Sequence, residues 1–133
     1  MPVKETVSMH EKPRHFTDLK VWQKAHHLFL KLIGDVRSLK NFGVERIIVD
    51  QIVRSAGSIS ANVAEGFNAH STKEYLRYLD ISVRSTAETE NWLYKIKDLS
   101  ILSDKACKEK LQDCKEISRM IQGLMNSLKK KMC

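Results

Sequence analysis

Proline is nearly absent from this chain. Only Pro2 and Pro13 occur among 133 residues, so about 120 consecutive residues lack the strongest helix breaker. Long apolar runs are missing too: nowhere do roughly 18 apolar residues follow one another, which excludes a membrane-spanning helix. The stretch from Met1 to Arg14 has no apolar segment that could form the core of a signal peptide, so a cytoplasmic protein with no membrane partner is expected. Cysteine is scarce and odd in number, at three. Cys107 and Cys114 lie seven apart on a helical stretch, roughly 10 Å of rise, too far to bridge, and read as reduced core thiols. Cys133 reads as a terminal thiol, and the spacing matches no zinc motif. A nucleophile elbow, a P-loop and an HExxH segment are all lacking. The chain is therefore not expected to be an enzyme, and no cofactor and no metal are expected.

What is present is an ordinary globular composition with a surplus of positive charge. Apolar residues make up 42% and charged residues 29%, enough to build a packed core. Lys and Arg number 23 against 16 Asp and Glu, a net charge of +7 that attracts phosphate backbones or acidic partners without naming one.

Hydrophobic spacing divides the chain into a polar tail and four helices. Residues 1–15 carry both prolines and no period, and read as a flexible N-terminal tail before a bundle domain over 16–133. From an N-cap at Thr17 or Asp18, the set Trp22, Ala25, Phe29, Leu32, Val36, Leu39 predicts a helix near 18–40. Asn41, Phe42 and Gly43 break it, and Ile48, Ile52, Ser55, Ile59 and Val63 predict a second near 44–66, rich in small residues from Ser55 to Ala64. Ser71, three before Glu74, has capping-box spacing and opens a third helix, marked by Tyr75, Leu79, Ser82, Thr86, Leu93 and Ile96, to about Leu102. Asp104 suits the start of a fourth, along Cys107, Leu111, Cys114, Ile117, Ile121, Leu124 and Leu128. Short connectors make neighbours antiparallel, so the expected fold is an all-α, up-and-down four-helix bundle. Trp22, Phe29, Ile52, Ile59, Leu79, Leu93, Ile96, Leu111, Ile117 and Ile121 are expected inside, with Trp92 partly exposed or at a subunit contact.

Three groups of polar residues are candidates for function. Histidines offer little: His26 and His27 are adjacent and point about 100° apart, whereas metal pairs on a helix sit three or four apart. Gln51, Arg54, Ser58, Asn62 and Glu65 form a polar stripe on the second helix, and Glu88 and Glu90 lie among core positions of the third. Arg54 is expected to pair with Glu88 or Glu90, in a network that fixes helix register or forms a subunit contact. The alternative, in which the two carboxylates act as general acid and base, has no metal site or phosphate loop beside it.

The third group is basic. Lys20, Lys24, His27 and Lys31 fall at i, i+4, i+7 and i+11 on the first helix with no acid among them, spanning about 60° of arc. Arg77 and Arg84, with Lys73, form a second row interrupted by Asp80; Lys108, Lys115 and Arg119 form a third. Rows of this kind are usually solvated faces. The first-helix row fits that reading least, because like charges in an unbroken run repel and phosphate contacts would relieve the repulsion. Lys20, Lys24, His27, Lys31, Arg77 and Arg84 are thus the candidate nucleic-acid contacts.

The segments Phe16-Thr-Asp-Leu-Lys-Val-Trp-Gln-Lys-Ala25, Gln51-Ile-Val-Arg-Ser-Ala56 and Ser58-Ile-Ser-Ala-Asn-Val-Ala-Glu-Gly-Phe67 carry a resemblance. The chain resembles the four-helix-bundle, S23-like family of 23S rRNA intervening-sequence proteins, which includes the accessory variability determinant proteins of diversity-generating retroelements. Ser71-Thr-Lys-Glu-Tyr75 and Ser85-Thr-Ala-Glu-Thr-Glu90 extend it to about Leu102. The resemblance implies a non-enzymatic homopentameric ring with a basic surface, and partners that include nucleic acid and a reverse transcriptase. The chain departs from the family pattern at Asn68, Ala69 and His70, where an Arg is usual, and at Arg84, where a Gly is usual.

Two functions follow from these readings. One is a basic homo-oligomeric bundle that binds nucleic acid, RNA above all, or serves a reverse transcriptase as an adaptor. The other is a protein-binding or self-assembling module with no nucleic-acid role, suggested by the small-residue face of the second helix.

Overall fold

The computed structural model describes residues 12–40 and 43–132. Most of the expected tail, Asn41 and Phe42 of the first break, and Cys133 lie outside the described residues. A 3-10 turn, Phe16–Asp18, precedes four helices: α1 Lys20–Arg37, α2 Val44–Phe67, α3 Thr72–Asp98 and α4 Asp104–Met132. The described residues contain no strand, in keeping with the helical spacing of the apolar residues. α1 lies beside α2 and α4, and α3 beside the same two, which closes the up-and-down bundle. The α2–α3 contact is the most extensive of the four and the α1–α4 contact the least.

Local chemistry sets the helix ends and moves the start of α1 and the end of α3 from their expected places. α1 begins at Lys20 without a side-chain cap, because Thr17 and Asp18 are engaged in the turn before it. The Asp18 carboxylate accepts from the backbone amides of Arg14 at 3.0 Å and His15 at 3.1 Å. α2 is preceded by Gly43, whose φ of 69° is a left-handed conformation that glycine adopts without a Cβ clash. Ser71 caps α3 through the Glu74 amide at 3.1 Å, as its spacing predicts. α3 ends at Asp98 and not near Leu102, because Ser100 turns left-handed at φ 59°. The Ser100 amide then donates to Lys97 O and the Ile101 amide to Ile96 O, each at 3.0 Å, a Schellman closure in which serine stands where glycine is usual. α4 is capped by Ser103, which accepts from the Ala106 amide at 3.1 Å, leaving Asp104 as its first residue.

The core is built from Leu28, Leu32, Ile52, Ile59, Leu79, Leu93, Ile96, Ile117 and Ile121, all fully buried. Burial of each such side chain contributes roughly 1.5–3 kcal/mol. Trp22 and Phe29 are only half-buried, contrary to the expectation from spacing. Two apolar stripes overlap on α1, and the one that faces inward is Val21, Ala25, Leu28, Leu32 and Val36. Phe29 is turned toward α2, where its ring would lie 3.3 Å from a Cβ at Gly57, and Trp22 stacks on His26. At Gly66 an added Cβ would meet the Tyr75 ring at 2.8 Å. Small residues of α2 therefore admit α1 and α3 of the same subunit. Cys107 and Cys114 are buried, and Trp92 is half-buried.

Candidate nucleic-acid interface

The α2–α3 contact is held in register by hydroxyls. Ser82 Oγ donates to Ile59 O at 2.8 Å, Ser55 and Thr89 hydroxyls meet at 3.0 Å, and Ser85 Oγ donates to Ser58 Oγ at 3.0 Å. Asn62 Nδ2 donates to Ser58 O at 2.8 Å. At the rim, the Arg54 guanidinium pairs with Glu88 and donates to Gln51 Oε1 at 3.1 Å, while Trp92 Nε1 donates to Glu88 Oε2 at 3.2 Å. The residues expected in one polar network fall into two groups, Gln51, Arg54 and Glu88 at the rim and Ser58 with Asn62 further along α2. Glu65 and Glu90 are in neither: Glu65 is exposed, and Glu90 lies on the α3 stripe toward Cys114. Burial, reinforced by the charges of Glu90 and Asp113, pushes the Cys114 thiol up to about 12.

The first-helix cations meet acids that the sequence places some 80 residues away. Lys31 Nζ lies 2.5 Å from Asp113, and Lys24 Nζ lies 2.5 Å from Glu116 and 3.5 Å from Asp113. The Lys24 ammonium is raised above its ordinary value, chiefly by its hydrogen bond to Glu116, whose carboxyl is lowered by the same bond. Nearby, Lys110 is only 3% exposed; it pairs with Asp35 and donates to Ala106 O at 3.3 Å. The α1–α4 seam is therefore stitched by charge, and Asp113, Glu116, Asp35 and Lys110 were not singled out by sequence reasoning. Of the first-helix row, Lys20 and His27 are exposed and form no ion pair among the described residues. On α3, Arg77 contacts Glu74 at 3.7 Å and Arg84 contacts Asp80 at 3.0 Å, both along the helix.

These pairings leave α4 divided by sign. At about 100° per residue, Glu109, Asp113 and Glu116 all fall on the flank toward α1. Lys108, Lys115 and Arg119 fall within about 40° of one another on the outer face, with Lys130 close to the same line. All four are exposed. Among the described residues, Lys108, Lys115 and Arg119 form no ion pair. The same residues include no cluster of three His, Cys, Asp or Glu that could hold a metal ion, and no helix long and apolar enough to cross a membrane.

Fold and surface together define a four-helix bundle with a basic row on α4 that forms no ion pair among the described residues. Residues 17–123 match the family model of the 23S rRNA-intervening sequence protein, and the chain belongs to that family. A crystal structure of a protein of unknown function from the S23 ribosomal protein family of Bacteroides thetaiotaomicron has the same fold, with a TM-score of 0.71 at 24% identity. The match covers 79% of this chain and 97% of that one. No curated protein matches the sequence.

Proposed function

We propose that this protein is a non-enzymatic, cytoplasmic bundle that binds nucleic acid, RNA above all, through phosphate contacts along the outer face of α4. The observation that carries this reading is the segregation of charge on α4, which leaves Lys108, Lys115 and Arg119 outside any ion pair among the described residues while Lys24 and Lys31 of α1 are paired with α4 acids. Phosphate contacts made by Lys and Arg carry no sequence information directly, so binding through this row should be strongly salt-dependent and weakly sequence-selective. Lys20, His27, Arg77 and Arg84 extend the basic surface at lower density. Family membership supports an oligomeric form, with a homopentameric ring as the favoured assembly, in which each copy would present the row once. A reverse transcriptase is a partner of the same kind, a nucleic-acid-handling protein that the bundle would serve as an adaptor.

The test is RNA binding by Lys108→Glu/Lys115→Glu/Arg119→Glu at two salt concentrations. Loss of three phosphate contacts should weaken binding at least tenfold and make the salt slope shallower by about two to three. Unchanged affinity and slope would remove α4 as the binding face. The self-assembling reading has its own support in Val44, Ile47 and Leu99, apolar side chains 67%, 63% and 59% exposed at one end of the α2–α3 pair. It takes first place if the parent protein binds neither duplex nor single-stranded RNA.

A further inference from the structure

Resting on the nucleic-acid reading, we infer that a second surface, the ring strip over the N-terminal half of α1, receives the bases of an unpaired strand. His15, Phe16, Trp22 and His26 form a continuous series of rings. Centroids are 4.1 Å apart for His15 and Phe16, 5.4 Å for Phe16 and Trp22, and 4.7 Å for Trp22 and His26, the last pair stacked at 15°. His15 is exposed and the other three are half-buried.

Phe16 packs on these rings and is not among the half-buried residues that line the core, so core formation does not account for its position. The turn that carries it is nevertheless firmly built. His15 Nδ1 accepts from the Thr17 amide at 3.3 Å, Gln23 Nε2 donates to Thr17 O at 2.8 Å, and Asp18 accepts two amides. A preformed stack with an open end at His15 can be lengthened by a nucleobase at little ordering cost, and base–aromatic stacking is worth about 1–3 kcal/mol per base. Arg14, exposed beside His15, is placed for a phosphate, and the neighbouring Asp18 carboxylate is occupied by backbone amides. The 3-10 turn that carries Phe16 packs against α1 and α2, and Lys24 and Lys31 face α4, so the strip is separate from the α4 row. That row carries no ring at all.

The experiment compares binding of a labelled ten-nucleotide oligo(A) and a labelled RNA duplex by fluorescence anisotropy, with folding checked by circular dichroism. Phe16→Ala/His26→Ala should weaken oligo(A) binding about tenfold and leave duplex binding unchanged. His26→Ala alone, which keeps Phe16 on Trp22 and the His15 cap of the turn, guards against a folding defect and should weaken oligo(A) binding severalfold. Equal loss for both ligands, or no loss for either, overturns the strip as a base platform while leaving the α4 reading intact. Failure of the parent to bind either ligand overturns both.

Discussion

Replacing Lys24 and Lys31 with Glu turns the α1–α4 seam against itself. Asp113, with a side chain 14% exposed, sits between the two ammonium groups at 3.5 and 2.5 Å. Each pair at such a half-solvated site is worth about 0.2–1 kcal/mol, and reversal replaces that attraction with a repulsion of similar size. The two contacts to Asp113 together therefore cost about 2 kcal/mol; the Lys24–Glu116 contact is left out, since Glu116 is the more exposed of the two acids. For a domain of this size about 2 kcal/mol corresponds to a fall in Tm of roughly 8 °C. Thermal unfolding followed at 222 nm in low and high salt measures it, and the deficit should shrink as salt screens the seam. The Lys108→Glu/Lys115→Glu/Arg119→Glu variant is the control and should stay within about 1 kcal/mol of the parent. Equal Tm values for the two variants would refute the claim that α4 acids neutralise the α1 lysines.

Asp35 and Lys110 should respond unequally to removal of either partner. Asp35→Ala leaves a buried ammonium with only the Ala106 carbonyl and should cost about 2–4 kcal/mol in urea unfolding, whereas Lys110→Met leaves a carboxylate that water can reach and should cost under about 1 kcal/mol; the reverse order would refute the assignment of Lys110 as the buried member. Burial pushes both the Cys114 thiol, from an ordinary 9.0, and the Tyr75 hydroxyl, from 10.0, up to about 12. Folded values above unfolded ones mean that this stability is fully present below about pH 9 and lost as pH rises toward 12. The urea midpoint should fall over that window and fall less steeply in Cys114→Ala, and a midpoint flat from pH 8 to 11 would contradict it.

The fold was legible because its signals are local. Spacing of apolar residues within each helix, the Ser71 cap and the shortage of proline are all readable within a few residues, and four helices follow. The register of α1 was misread where two stripes overlap: Trp22 and Phe29 are larger than Val21 and Leu28, yet they flank the core because Gly57 makes room for an aromatic beside it. The surface was less legible, since it depends on which helices adjoin. Lys24 and Lys31 look unopposed in sequence and are opposed in space by Asp113 and Glu116. Lys110 carries no mark of burial except a partner, Asp35, on another helix. The Arg54–Glu88 pair was found because both lie where charge needs compensation at a buried edge.

The division of α4 by sign also gives that helix a dipole across its axis, at right angles to the one along it. A polyanion approaching from solution exerts a torque on such an arrangement and turns the basic face forward before any contact forms. Orientation in flight then sets the encounter rate, and short-range fit sets the lifetime of the complex. Added salt should accordingly slow capture far more than it hastens release.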